Sequence, residues 1–453
     1  ENKRGSFSGK LGFVLSAAGA SVGLGNIWRF PYLCASYGGG IFLIIYLVLA
    51  HTFGYTMIMA ETSIGRMSKK SPVGAYSYFS DKKIVKAGGW INAIIPLLIV
   101  PYYSVIGGWV IRYLVEYIVN GTEKVTDEAF FGNFISSNSQ PEIYFIIFAL
   151  MTMVVIFIGV ENGIEKVSKF MMPILVVLAV IISIYSVTRP GAIEGVKYMF
   201  IPNFKNFSFM TVVTAMGQMF YSLSIAMGIL ITFGSYMKRD VSIEGTTNQV
   251  VFFDSLIAIM AALMIIPSVF AFSSSQETTL NAGPSLMFIT MPNIFNSMGI
   301  GRIIAVLFFS LVLMAALTSS IALAESAVAT IDDQLKFGRK KSTVIVGVII
   351  IVLGSLSALG YGALGNVKII GMQFLDFFDF LTNSVMMPIA AFASCLLVTV
   401  VIKRAKVAEE ICSEGNQFKG KPLFNFMIKY VCPLFVIVIL ISSVANAFGW
   451  IKM

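Results

Sequence analysis

The sequence predicts an all-α polytopic membrane protein with eleven transmembrane helices. Hydrophobic residues make up 57% of the 453-residue chain and charged residues only 12%, whereas a typical soluble domain has about 25% charged residues. The apolar residues form segments of about 20, the length that a helix needs to cross a bilayer. Two of these segments are interrupted by small and polar residues, which is unusual for helices that act only as anchors.

The eleven predicted spans leave no room for a separate soluble domain. We therefore expect a single transmembrane domain over residues 1–453. The approximate bounds of the spans are residues 11–36, 41–66, 88–119, 142–159, 166–188, 211–236, 243–273, 300–331, 342–361, 374–402 and 425–449.

The basic residues of the loops predict the orientation in the membrane. Loops that share a side with the N-terminus, at residues 66–86, 336–341 and 403–421, are rich in Lys and Arg. The opposite loops are poor in them, with one lysine in residues 120–141 and none in residues 274–299. The positive-inside rule places the N-terminus in the cytoplasm and the C-terminus outside the plasma (inner) membrane. The net charge of +9 is explained by this topology, and we expect no nucleic-acid partner.

The first span is interrupted between Gly19 and Pro31 by glycines, Asn26 and Arg29. Each glycine weakens a helix by about 1 kcal/mol relative to alanine, and an arginine at membrane depth costs about 2.5–3.5 kcal/mol. Two interpretations are open at this point. The helix is broken and its freed backbone groups line a binding site, or the glycines let neighbouring helices pack closely.

The sixth span repeats this feature between Met216 and Gly228, with serines at its centre. Spans one and six open two halves of the chain, at about 11–188 and 211–402, which an additional helix at about 425–449 follows. Paired interruptions at corresponding positions predict a transporter binding site, because half-helix N-termini offer N–H groups to an anion and unwound carbonyls offer oxygens to a cation. Serines that only join helices are the alternative.

Five motifs, in this order, resemble the neurotransmitter:sodium symporter family, and in particular its bacterial amino acid transporters of the LeuT type. They are Gly23-Leu24-Gly25-Asn26-Ile27-Trp28-Arg29-Phe30-Pro31, Gly38-Gly39-Gly40, Gly217-Gln218-Met219-Phe220, Leu317-Thr318-Ser319-Ser320 and Asp376-Phe377-Phe378-Asp379. The resemblance covers nearly the whole chain. It implies a LeuT-like 5+5 inverted repeat with broken helices 1 and 6, and sodium-coupled import of an amino acid by alternating access.

The resemblance also implies two Na⁺ sites, built from the oxygen ligands that a hard cation prefers. The ligands of the first site would be the Ser21 carbonyl, Asn26, Ser222 and Asp254, completed by the substrate carboxylate. The ligands of the second would be the carbonyls of Gly19, Val22 and Ala315 with the hydroxyls of Thr318 and Ser319. Animal relatives often have asparagine in place of Asp254 and bind chloride nearby, so its carboxylate predicts chloride-independent transport.

A substrate pocket follows from the same resemblance. The substrate carboxylate would meet Gly23, Gly25 and Tyr103, and the ammonium group would meet Ser21, Tyr221 and Ser224. The side-chain cavity would be lined by Ala20, Ile99, Tyr221, Met227, Ser319 and Leu323. Monoamine-transporting relatives have an aspartate in place of Ala20. A small residue there and the flexible Met227 favour a hydrophobic or aromatic amino acid.

Two residue pairs resemble the gates of the family. Arg29 and Asp379 would close the outer side, and Arg4 and Asp333 the inner side. Phe7 lies where relatives usually have tryptophan, and Tyr236 is expected to support the inner pair. Each pair alone would be worth only about 0–1 kcal/mol as a surface salt bridge.

Other classes of function are less well supported by the sequence. A membrane enzyme would need a nucleophile–base pair or a metal cluster, and the chain has a single histidine. An amino acid sensor that does not transport would have the same pocket, and a proton-coupled permease would have the same architecture. The hydroxyls of Thr318 and Ser319 favour sodium over protons. We expect the bilayer and a small amino acid as partners, and no obligatory protein partner.

Overall fold

The computed structural model describes residues 5–272 and 284–451, and the folded elements in these ranges are helices. The main helices are α1 Lys10–Ser21, α2 Gly25–Ser36, α3 Gly40–Ser68, α4 Lys83–Val119, α5 Gln140–Ile158, α6 Val160–Val187, α7 Phe209–Ser222, α8 Ile229–Tyr236, α9 Ile243–Phe272, α10 Gly301–Leu335, α11 Arg339–Ala358, α12 Phe374–Ile402 and α13 Lys421–Ala447. Shorter helices connect them at Pro72–Phe79, Glu128–Ser136, Ala192–Phe200, Phe204–Asn206, Leu286–Thr290, Met291–Asn296, Arg404–Ile411 and Ser413–Gly415.

The described residues contain nine helices that are long and apolar enough to cross a membrane, or ten if α1 and α2 are counted as one bent span. The predicted count of eleven also included residues 211–236. There the chain forms α7 with 14 residues and α8 with 8 residues, and neither is long enough to cross a bilayer alone. The count of eleven therefore stays a prediction.

The first interruption separates α1 from α2, and the two helices are bent by 54°. Residues 22–24 join them, and the Val22 N–H makes the last α-helical hydrogen bond of α1, to the Ala18 carbonyl at 2.8 Å. Gly25, which begins α2, lies against the ring of Tyr221, because a Cβ atom added to this glycine would come within 2.7 Å of two ring carbons. A larger residue would therefore push the two interrupted segments apart.

The second interruption covers residues 223–228, between α7 and α8. Ser224 and Ala226 have φ values of 54° and 60°, a left-handed conformation that costs an L-residue roughly 1–2 kcal/mol. Two contacts stabilise it. The Ala226 N–H donates to both carboxylate oxygens of Glu61 at 3.1 and 3.2 Å, and the Ser224 hydroxyl donates to the Ala20 carbonyl at 2.9 Å.

The two interruptions face each other in the centre of the molecule. Helix α1 packs between α9 and α10, while α8 packs along α3. Helix α4 packs against α10 on the other side of the centre. The side chains buried along these helices are mostly apolar. Buried polar side chains lie where the two interruptions meet.

Candidate functional site

A small cavity lies where the two interruptions meet α4 and α10. Its volume is about 30 Å³, enough for a water molecule but not for a larger solute. All eleven residues that the sequence analysis assigned to a substrate pocket line it, and Leu24, Asn26, Ser222 and Ile229 line it as well. The eleven are Ala20, Ser21, Gly23, Gly25, Ile99, Tyr103, Tyr221, Ser224, Met227, Ser319 and Leu323.

Two residues just before α2, Gly23 and Leu24, line this cavity. The Leu24 N–H donates to the Tyr103 hydroxyl at 3.3 Å, and the Gly23 N–H donates to Asn26 Oδ1 at 3.1 Å. These donors are free of the usual intrahelical partners because the helix begins here. A helix N-terminus with such groups attracts anions.

The first predicted cation cluster is centred on Asp254, which is fully buried. Its Oδ1 atom accepts hydrogen bonds from Ser222 Oγ at 2.7 Å and from Asn26 Nδ2 at 2.9 Å. Its Oδ2 atom accepts one from the Tyr46 hydroxyl at 2.6 Å. Three polar groups from α2, α3 and α7 thus converge on a carboxylate of α9, as an ionised carboxylate requires when it is buried.

The second predicted cluster is centred on Ser319 Oγ, which lies 3.2 Å from the Gly19 and Val22 carbonyl oxygens. It also lies 3.1 Å from the Ala20 carbonyl. A hydroxyl carries one proton and can satisfy only one of these acceptors at a time. Nearby, Thr318 Oγ1 lies 3.1 Å from the Ala315 carbonyl.

Both clusters fit a hard cation better than a soft metal. Their atoms are oxygens, the second cluster has more acceptors than donors, and the first contains a carboxylate. Such sets suit Na⁺, Ca²⁺ or Mg²⁺. Among the residues that the structure describes, no group of three or more His, Cys, Asp and Glu side chains could hold a metal.

An outer cavity of about 380 Å³ lies above the central one and includes the predicted outer gate residues Arg29 and Asp379. The Arg29 guanidinium lies over the Tyr221 ring, 5.6 Å from its centroid. Asp379 accepts hydrogen bonds from Tyr102 at 3.1 Å and from Asn383 at 2.5 Å. The ion pairs found in the described part of the chain do not include one between Arg29 and Asp379. Tyr103 and Tyr221 line both cavities and separate them.

The end of the molecule that holds the predicted inner gate contains aromatic packing and the Arg339–Glu325 ion pair. Arg4 lies outside the described residues, and its predicted partner Asp333 accepts a hydrogen bond from the Ser71 N–H at 2.6 Å. The Phe7 ring packs edge-on against Tyr236, whose hydroxyl donates to Glu325 at 2.6 Å. Arg339 also donates to both oxygens of that carboxylate.

Sequence reasoning missed several residues of the site. Tyr46 completes the Asp254 cluster, and Arg339 neutralises Glu325 with contacts of 2.9 and 2.6 Å. Gln218 donates to the Gly25 carbonyl at 3.1 Å, and its Oε1 atom is buried without a hydrogen-bond partner among the described residues. Gln218 belongs to the motif Gly217-Gln218-Met219-Phe220. No local pattern distinguishes Tyr46 from a packed aromatic residue.

Comparisons with known proteins agree with one another. The model of the sodium:neurotransmitter symporter family matches residues 4–124 and 116–450. An uncharacterized sodium-dependent transporter of Bacillus subtilis (strain 168) is 31% identical over 450 residues, which cover 98% of each chain. One from Haemophilus influenzae is 32% identical over 459 residues, covering 97% of this chain and 98% of its own. The crystal structure of MhsT in complex with L-phenylalanine is similar with a TM-score of 0.87 and 34% identity, covering 97% of this chain and 100% of MhsT.

Proposed function

This chain belongs to the sodium:neurotransmitter symporter family, and from that membership we propose that it imports a hydrophobic or aromatic amino acid together with sodium. The observation that carries the proposal is the meeting of both interruptions at one cavity, with an oxygen cluster on either side. The similar structure of MhsT contains L-phenylalanine, which favours an aromatic substrate here as well. Ala20 provides no charge for a monoamine.

The substrate would bind by both ends of its backbone. Its carboxylate would take over the N–H groups of Gly23 and Gly25 and the Tyr103 hydroxyl. Its ammonium group would meet the carbonyls of Ser21 and Tyr221 and the Ser224 hydroxyl. Because the cavity now measures about 30 Å³, the side-chain end would have to widen. The flexible Met227 and the ring of Tyr221 are the side chains that can move for this purpose.

Two sodium ions would bind beside the substrate. The first would use the Ser21 carbonyl, Asn26, Ser222 and Asp254, and the substrate carboxylate would complete its shell. The second would use the acceptor-rich cluster of the Gly19, Val22 and Ala315 carbonyls with Thr318 and Ser319. Sodium would balance the carboxylate charge at the first cluster and the excess of acceptors at the second.

We propose that transport is independent of chloride. Asp254, hydrogen-bonded to Tyr46, Ser222 and Asn26, would supply a fixed negative charge at the first cluster. A diffusible anion would then be unnecessary to balance the cation. A buried carboxylate at membrane depth is costly unless it has a role of this kind.

Alternating access would proceed through the two gates. Sodium and substrate would enter from the outer side, and Arg29 would then move from the Tyr221 ring to Asp379 and close that side. The inner side then opens as Asp333, Phe7 and the residues around them separate. The membrane potential favours sodium entry by about 2.3 kcal/mol per charge per 100 mV.

The architecture proposed with this cycle has eleven spans in a 5+5 inverted repeat. Both interruptions fall in the first element of a predicted repeat, at α1–α2 and α7–α8, as in transporters with discontinuous helices. We further propose that the protein lies in the plasma (inner) membrane with the N-terminus inside and the C-terminus outside, on the strength of the basic loops.

Uptake of radiolabelled phenylalanine into proteoliposomes tests the proposal. Accumulation should require inward-directed sodium, fail when potassium replaces sodium, and persist when gluconate replaces chloride. Counterflow of labelled against unlabelled substrate should also occur. Binding without counterflow would indicate a sensor, and accumulation driven by a proton gradient without sodium would indicate a proton-coupled permease. Either result would overturn sodium symport.

A further inference from the structure

A third cavity opens on the surface of the helices and shares no residue with the two described above. It measures about 850 Å³ and lies between α5, α6 and α10. Its walls are apolar except for Lys166. Leu150 and Val154 on α5 and Phe170 on α6 are 56%, 58% and 69% exposed. We call this cavity the lateral groove.

A positive charge lies at one end of the lateral groove. Lys166 lies in the second turn of α6, close to the turn that joins it to α5. Its neighbour Glu165 is paired with Lys169 at 2.5 Å, while Lys166 has no ion-pair partner among the described residues. A second lysine lies at the same end of α5, with the Lys340 ammonium 5.7 Å from the centroid of the Phe157 ring.

We propose that the lateral groove binds an anionic glycerophospholipid of the bilayer, with an acyl chain between α5 and α10 and the phosphate at Lys166. An acyl chain matches the walls because both are apolar and neither needs a hydrogen bond. The headgroup would have to be anionic, because Lys166 lines the polar end of the groove and no Asp or Glu is among the described lining residues. Basic pockets between transmembrane helices are known to suit anionic headgroups.

The position of the lateral groove connects it to the second oxygen cluster. On α10, Met314 and Leu317 line the groove, and the next residue, Thr318, belongs to the cluster and donates to the Met314 carbonyl at 3.1 Å. On α6, Met171 lines the groove, while the sulfur of the adjacent Met172 lies 3.6 Å from a Cβ atom built on Gly19. Two walls of the groove are therefore also walls of the cluster.

A bound lipid would brace α6 and α10 against α1. We expect anionic lipid to lower the sodium concentration that gives half-maximal uptake, and this consequence rests on the proposed sodium site. Lipid retention does not rest on it. The two parts can therefore fail separately.

Native mass spectrometry of the purified protein tests the binding itself. The protein is exchanged into mixtures of phosphatidylglycerol and phosphatidylcholine, and the lipids that remain bound are counted. The test variants are Lys166→Gln, which removes the charge, and Leu150→Trp, which fills the lateral groove. The matched controls are Lys82→Gln, an exposed lysine outside the groove, and Val352→Trp on α11, which is 58% exposed and also outside it.

Wild-type protein and both controls should retain phosphatidylglycerol in preference to phosphatidylcholine. Lys166→Gln should lower its retention about fivefold, because one lysine near an anionic surface contributes about 1 kcal/mol. Leu150→Trp should reduce the retention of both lipids. Equal retention of the two lipids by the wild type, or unchanged retention by Lys166→Gln, would overturn the proposal. In proteoliposomes, phosphatidylglycerol should shift the sodium dependence of the wild type and not that of Lys166→Gln.

Discussion

Replacing Asp254 by asparagine removes a negative charge from the first oxygen cluster and leaves the size of the side chain unchanged. The carboxylate now accepts hydrogen bonds from Tyr46 at 2.6 Å, Ser222 at 2.7 Å and Asn26 at 2.9 Å. An amide has one acceptor oxygen, so its NH₂ group must face at least one of these donors. Each hydrogen bond to a charged group contributes about 1.5–3 kcal/mol.

The lost charge has the larger effect on sodium binding. Two unit charges about 4 Å apart attract each other by about 4 kcal/mol at an effective dielectric constant near 20. This energy corresponds to roughly three orders of magnitude in affinity. We therefore expect Asp254→Asn to show no uptake in chloride-free buffer at sodium concentrations that saturate the wild type.

The assay is phenylalanine uptake into proteoliposomes, in parallel series with chloride and with gluconate. Chloride should restore part of the uptake of Asp254→Asn and should have no effect on the wild type. Asp81→Asn is the matched control, since the Asp81 side chain is 99% exposed and its variant should behave as the wild type. Size-exclusion profiles should be the same for all three proteins. Full chloride-free uptake by Asp254→Asn would refute the reasoning.

Three further changes have defined outcomes. Ser319→Ala should raise the sodium concentration for half-maximal uptake about tenfold, because the proposed second Na⁺ site loses one of its oxygen ligands. The neighbouring variant Ser320→Ala should leave the sodium dependence unchanged. Gly25→Ala should abolish substrate binding, because the added Cβ atom would come within 2.7 Å of the Tyr221 ring. Binding is measured by scintillation proximity. The control variant Gly132→Ala should bind normally, because a Cβ atom at Gly132 has nothing within 4 Å. Arg339→Met should lower the free energy of unfolding by about 3–5 kcal/mol, since it leaves the buried Glu325 carboxylate without its ion-pair partner. A fluorescence melting curve that matches that of the wild type would contradict this.

The family resemblance was sufficient to predict which residues line the central cavity. Local sequence indicated only that spans one and six are interrupted, because glycines in an apolar segment also allow close helix packing. The matched motifs supplied the residue-by-residue pattern. Ala20, Met227 and Leu323 were assigned in this way, and the structure places all three in the cavity wall. Their roles in binding stay predictions.

Pairings across the chain could not be predicted, because they depend on how the helices pack. Tyr46 and Asp254 are 208 residues apart, and a tyrosine within an apolar span is usually only a packed ring. The same holds for Arg339, because its position among the basic residues of a loop gives no sign of its contact with Glu325. The limits of the helix around residues 223–228 were also out of reach, since these residues have no strong helix-breaking pattern before Gly228.

The way in which α7 and α8 are separated has a consequence for biogenesis. Leu223, Ala226 and Met227 lie in the gap, and all three are residue types with high helix propensity. The gap is stabilised by partners from elsewhere, with Glu61 at Ala226 and Ala20 at Ser224. During synthesis these partners are not yet docked. The segment would then enter the bilayer as one continuous apolar helix and would open only when the helices associate.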